Sequence, residues 1–143
     1  MYGALDISTS GLIAQRTRID AIAANQANQD TLRDSAGNLN PFRRRLVVLA
    51  AGAPDSTNAD ARELGVHVRE IVLDDSPVQP KEYDPDHPDA YQDGPFKGYV
   101  AMTNVDPVME QINALEAGRA YEANIVAAET TKAMFTQMLR LLA

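Results

Sequence analysis

The residues best equipped for chemistry form one cluster, Asp84-Pro85-Asp86-His87-Pro88-Asp89, with Asp93 and Gly94 just after it. Carboxylates beside an imidazole are the donor set of a divalent-cation site. An EF-hand loop, however, needs Asp or Asn at its fifth position and Gly at its sixth. Those positions hold Pro88 and Asp89, so the motif fails. Zinc needs three or four nitrogen, sulfur or carboxylate ligands. The chain has 0 cysteines and 2 histidines, His67 and His87. Asp and Pro at this density instead build turns, with carboxylates accepting nearby backbone amides. No serine sits in a Gly-x-Ser-x-Gly turn, and no glycine-rich phosphate loop is present. The sequence therefore assigns no catalytic, cofactor-binding or metal-binding residues, and the expectation is a protein that is not an enzyme.

The chain has 143 residues and a net charge of −7. An acidic balance argues against a nucleic-acid binder, which neutralises phosphates with a basic surface. The short run Arg43-Arg44-Arg45 beside Phe42 reads as a solvated strand entry or a docking patch for an acidic partner. No apolar run approaches the roughly 20 residues that span a bilayer, so direct membrane insertion is not expected. The N-terminus lacks a basic segment followed by an apolar core, so no cleavable signal peptide is expected either.

All 8 prolines lie between Pro41 and Pro107. Proline removes a backbone donor and clashes with the preceding turn, so long helices exclude it. This divides the chain into an N-terminal helix (1–33), a proline-rich, acidic, β-containing middle domain (34–106) and a C-terminal helix (107–143). In the first helix Leu5, Leu12 and Ile19 recur at heptad spacing, with Ile22 and Ala23 on the same stripe. Gln26 falls on that seam, and Ser8 and Gln15 sit beside it. Gly11 weakens the helix by about 1 kcal/mol relative to alanine. Asp106 and Pro107 form a cap and first residue for the last helix. There Val108, Met109, Ile112, Leu115, Ala123, Val126, Ala127, Met134 and Leu141 share one face. Tyr121, Ile125, Ala128, Phe135 and Leu142 form a second strip opposite. Two apolar sides require more than one packing partner. Ile112, Leu115 and Val126 are expected to fill the seam, with alanines at 120, 123, 127 and 128 allowing close helix approach. Ile19→Asp or Val126→Asp should then block assembly. In the middle, Arg45–Leu49 and Val66–Ile71 read as strands, residues 51–60 as a mobile loop, and Tyr99–Met102 as a last short strand.

The stretch Ala24-Asn25-Gln26-Ala27-Asn28-Gln29 reads by composition as a helix C-terminus, where amides satisfy orphan carbonyls. Its longer context, Ile19-Asp20-Ala21-Ile22-Ala23-Ala24-Asn25-Gln26-Ala27-Asn28, resembles the N-terminal motif of bacterial flagellar rod and hook proteins. Arg119-Ala120-Tyr121-Glu122-Ala123-Asn124 resembles their C-terminal motif. Asn40-Pro41-Phe42-Arg43-Arg44, Tyr83 to Ala90, Gly98-Tyr99-Val100 and Asn104-Val105 look like the proximal rod protein FlgC family. Departures are Ala24 for the first asparagine of the usual pair, Gln26 and Gln29 for apolar residues, Thr103 for a common proline, and a small insertion at Pro95 to Lys97.

The resemblance implies an α+β structural subunit with its terminal helices paired as a coiled-coil-like hairpin in a tube wall. A small β-rich middle domain is inserted between them. It implies assembly through Leu5, Leu12, Ile19, Ile22, Asn25, Asn28, Ile112, Leu115, Arg119, Tyr121, Glu122, Asn124, Val126 and Phe135. Implied partners are other copies of itself, proximal and distal rod proteins, the rod-base adaptor FliE and the flagellar type III export apparatus. The implied location is the basal-body rod within the periplasm. A soluble acidic coiled-coil adaptor or type III secretion chaperone is the competing class. It needs neither terminal motif.

Overall fold

The computed structural model describes residues 2–52, 54–55, 59–78 and 80–142, with only the backbone described for Tyr2, Asp60, Ala61 and Leu142. The elements run α1 (Tyr2–Ala27), β1 (Arg45–Ala51), α2 (Ala59–Leu64), β2 (Val66–Leu73) and α3 (Pro107–Leu142). This is an α+β arrangement of long terminal helices around a small antiparallel sheet. Among the described residues the sheet has 2 strands. The middle is thus less rich in β structure than its Val, Ile and Tyr content suggests. Among the described residues of 74–102, turns take up much of the chain and leave only isolated bridges, Tyr83 to Tyr99 and Ala90 to Val100.

β1 and β2 pair with Arg45 opposite Leu73 and Ala51 opposite Val66, with a bulge between Val48 and Leu49. The bulge inserts Arg69 as an extra residue in β2 and so breaks its simple alternation; Ile71, beyond it, is exposed. Of the expected loop at 51–60, residues 53 and 56–58 lie outside the described residues, while Ala59 already belongs to α2. Gly98 turns the chain with φ +81°, and a Cβ there would stand 2.8 Å from the Tyr83 ring. That close approach lets Tyr83 pack edge-on to Tyr99 at 5.1 Å between centroids.

α3 starts where Asp106 Oδ1 accepts the Val108 and Met109 amides at 2.9 and 3.3 Å. α1 and α3 lie antiparallel: Asn25 meets Glu110, Arg18 meets Glu116, and Gly11 meets Asn124. The buried core, which includes Ala14, Ala21, Ile22 and Ala117, lies along α1 between α3 and the sheet.

Candidate assembly surfaces

The α1–α3 seam differs from the one expected. On α3 the sheltered positions include Glu110, Ala114, Ala117, Tyr121, Asn124, Ala128, Thr131 and Phe135, at regular 3–4 spacing. This includes most of the second apolar strip (the Leu142 side chain lies outside the described residues). The stripe expected to fill the seam points the other way: Ile112 is 45% exposed, and Leu115 and Val126 are each 60% exposed. On α1 the facing positions are Ser8, Gly11, Gln15, Arg18, Ile22 and Asn25. Leu5, Leu12 and Ile19 flank them half-buried, and Ala23 and Gln26 are exposed. Small side chains set this choice. Alanines and Gly11 let the backbones approach closely, which larger apolar residues at those positions would prevent.

At Gly11 a Cβ would lie 2.7 Å from Asn124 Oδ1, while Asn124 Nδ2 donates to the Ala120 carbonyl at 2.8 Å. Gly11 therefore makes room for the last residue of the C-terminal motif. Gly11→Leu is expected to destabilise the free chain by about 1–3 kcal/mol, despite leucine's better helix propensity. Urea unfolding followed by circular dichroism measures it; an unchanged midpoint would mean that the crossing tolerates a side chain.

At the other end of the seam Glu110 is buried at 1% exposure, as is Asn25. A carboxylate there is stable only if paired. Glu110 Oε1 accepts from Arg44 Nη2 at 2.7 Å and Nε at 2.8 Å, and Oε2 accepts from Asn25 Nδ2 at 2.9 Å. Asn25 Nδ2 also donates to the Arg45 carbonyl at 2.9 Å, and its Oδ1 accepts the Arg45 amide at 2.8 Å. Asn104 Oδ1 accepts the Arg44 amide at 2.7 Å, and its Nδ2 donates to the Asp74 carbonyl at 2.9 Å. One polar junction thus ties α1, the sheet and the start of α3 together. Arg44 is accordingly neither a solvated strand entry nor a docking patch. Arg43 pairs with Asp75 at the surface, and Arg45 lies 5.6 Å from the Phe42 ring centroid.

Asp74 closes this junction, 3.6 Å from Arg44 Nη1. The Ser76 hydroxyl, then the Ser76 amide and Arg44, hold its carboxyl below the usual carboxylate range. A depressed folded pKa adds stability above the unfolded value of about 3.9, lost as pH falls through the folded pKa. Asp74→Asn should therefore be less stable than the parent at neutral pH, with the gap closing below about pH 4. Urea midpoints across pH measure it; a gap that persists in acid would place the effect elsewhere.

The Asp/His segment is used locally. Asp84 Oδ1 accepts the Asp86 amide at 3.1 Å, and His87 Nδ1 accepts the Asp89 amide at 3.1 Å. Asp89 bonds Arg33 Nε at 2.7 Å, fastening this turn to the segment after α1. Among the described residues no group of three or more His, Cys, Asp or Glu is placed to hold a metal ion. No helix among them is long and apolar enough to cross a membrane.

The two terminal motifs now have positions. Asn28 Nδ2 donates to the Ala24 carbonyl at 2.8 Å, capping α1, whereas Asn25 is the buried link to β1 and α3. Tyr121 and Asn124 turn toward α1, while Arg119 and Glu122 are exposed beside a shallow groove with Leu115 and Gly118. Residues 5–33 match the family described as "Flagella basal body rod protein". Residues 97–141 match "Flagellar basal body rod FlgEFG protein C-terminal". A flagellar basal-body rod protein FlgC of Borreliella burgdorferi is 37% identical, covering 99% of this chain and 97% of the relative. The FlgC of Bacillus subtilis is 35% identical over 98% and 97% of the two chains. That of Aquifex aeolicus is 37% identical over 94% and 92%. The chain belongs to the FlgC family of flagellar basal-body rod proteins.

The two family matches fall largely on α1 and α3, the helices that pair along the seam. Asp74 and Glu110 escape the sequence reading, in which Arg44 and Asn104 stand only in motifs and not as partners in this junction. Heptad spacing of Glu110 with Ala114, Ala117, Tyr121 and Asn124 was the available signal, masked by the polarity of its members. Thr103, at a common proline position of the family motif, is buried, and its hydroxyl donates to the Gln29 carbonyl at 2.5 Å. Proline has no hydroxyl to make this link.

Proposed function

We propose that this chain is a non-catalytic structural subunit of the bacterial flagellar basal-body rod. In this reading its terminal helices form part of the wall of a hollow shaft that transmits torque and conducts exported subunits. The observation that carries the reading is the pair of opposed faces on α3. One packs on α1; the other bears exposed Val108, Ile112, Leu115 and Val126. An apolar stripe of that length on a free helix calls for a partner. A heterologous, non-closing contact between such faces generates a helical polymer. Other copies and other rod proteins cover the stripe, the adaptor FliE meets the chain at the rod base, and the export apparatus delivers it into the periplasmic rod. In this reading the middle, 34–106, lies on the outside of the wall, between the terminal segments 1–33 and 107–143 that build it. Arg119 and Glu122, exposed next to the stripe, fix neighbour register by charge.

Deleting the gene and restoring it with a tagged copy tests this. Loss of motility, basal bodies interrupted at the rod, and the restored chain in purified basal bodies are expected. A chain that stays in the cytosol bound to another exported protein would favour the secretion-chaperone class instead.

A further inference from the structure

His87 belongs to neither the helix seam nor the outer stripe. Of the chain's 2 histidines, it alone uses its ring as an acceptor. The Asp89 amide donates to His87 Nδ1 at 3.1 Å. That nitrogen therefore carries no hydrogen, and the neutral ring holds its hydrogen on Nε2. His67 is the reverse case. Its Nδ1 lies 2.6 Å from the Gly52 carbonyl oxygen, which can only accept, so there Nδ1 carries the hydrogen. Protonation makes both ring nitrogens donors. The His67 bond survives that change; the His87 bond does not.

Two side-chain-to-amide bonds in tandem build the turn. Asp84 Oδ1 accepts the Asp86 amide at 3.1 Å, and His87 repeats the pattern with the amide two residues on. Asp or Asn is the usual acceptor in this geometry. What the turn holds lies far off in sequence. Asp89 Oδ1 accepts from Arg33 Nε at 2.7 Å, and the Pro88 carbonyl accepts from Arg33 Nη2 at 2.8 Å. The Asp89 carbonyl accepts the Ala101 amide at 2.9 Å, and Ala90 beside it is buried. Residues 88 and 89 thus join the segment after α1 to the segment that leads into α3. Pro88 has a fixed φ, so the His87 bond sets how Asp89 is presented to Arg33.

The charged and titratable groups brought to this turn are few. On it are Asp84, Asp86 and Asp89; the segment after α1 supplies Arg33, and the bridged residues supply Tyr83 and Tyr99. Of these side-chain types and imidazole, only imidazole ordinarily changes charge between about pH 5 and 8.

We propose that His87 is a pH-sensitive latch. Neutral, it holds Asp89 in place for Arg33. In acid a solvent proton adds at Nδ1, the atom that held the Asp89 amide, and the fastening between the segment after α1 and the 84–90 turn loosens. The latch is a property of the single chain and stands apart from the rod reading.

Amide hydrogen exchange of the full chain, with the His87 ring followed by NMR from about pH 8 to 5, tests this. After correction for intrinsic exchange, the Asp89 and Ala101 amides are expected to lose protection about tenfold as His87 titrates, the worth of one strong hydrogen bond. The β1 and β2 amides should keep theirs. His87→Asn places an oxygen where Nδ1 stood, accepts the same amide and does not titrate, so its protection should stay flat over this range. Constant Asp89 protection while His87 titrates overturns the latch, as does an Asp89 amide unprotected already at the alkaline end. A loss shared equally by β1 and β2 would be general unfolding and overturns it too. These readings come from the parent chain and hold whether or not the variant folds. An equal loss in a folded His87→Asn chain would place the titrating group elsewhere and likewise overturn the latch.

Discussion

Glu110→Ala is expected to lower the stability of the free chain by about 3–5 kcal/mol, the usual cost of removing one partner from a buried ion pair. Two losses combine. Arg44, whose side chain is only 22% exposed, loses its 2.7 Å partner and keeps only the more distant Asp74 at 3.6 Å. Asn25 Nδ2 loses its acceptor on α3, and with it the link between the two terminal helices. Glu116→Ala is the matched control on the same helix. Its carboxylate is 62% exposed and lies 3.5 Å from Arg18, so its removal should cost no more than about 1 kcal/mol. Urea unfolding of both variants, followed by helical circular dichroism, compares them directly. Equal shifts would mean that the junction does not hold the hairpin.

Val126→Asp should do the opposite: spare the chain and abolish the assembly. Val126 is exposed in the single subunit, so aspartate there meets water and should change folding stability within about 0.5 kcal/mol. Once a neighbour covers the stripe, the same carboxylate is buried without a partner, at a cost of several kcal/mol. The expected result is normal expression and unfolding, no incorporation into basal bodies and no motility. Ala117→Asp, at a site with no exposure, should instead destabilise the subunit itself. If Val126→Asp cells swim normally, the outer stripe is not an interface.

The contrast between these sites explains how much was legible. Proline placement and the Asp106-Pro107 pair located the two long helices, because both act within a few residues of the chain. Apolar periodicity found both strips of α3 but assigned the inner role to the wrong one. Ile112, Leu115 and Val126 have the bulk expected of a core, whereas Gly11, Ala114 and Ala117 allow the close approach that the crossing uses. Asn25 read as a helix-end amide because composition cannot separate it from Asn28, which does cap the helix. Its bonds to Arg45 and Glu110 bridge 20 and 85 residues of sequence, beyond the reach of any local pattern. α2 was missed for a related reason. Its 6 residues are too few for helical periodicity to stand out, and α1 supplies the packing that stabilises it.

The most direct measurement is an image of the isolated basal body at a resolution that separates helices and large side chains. The chain should occupy a layer of the rod, with its α1–α3 hairpin in the wall and Ile112, Leu115 and Val126 covered by neighbouring subunits. A chain absent from the rod, or present with that stripe facing water, would contradict the account.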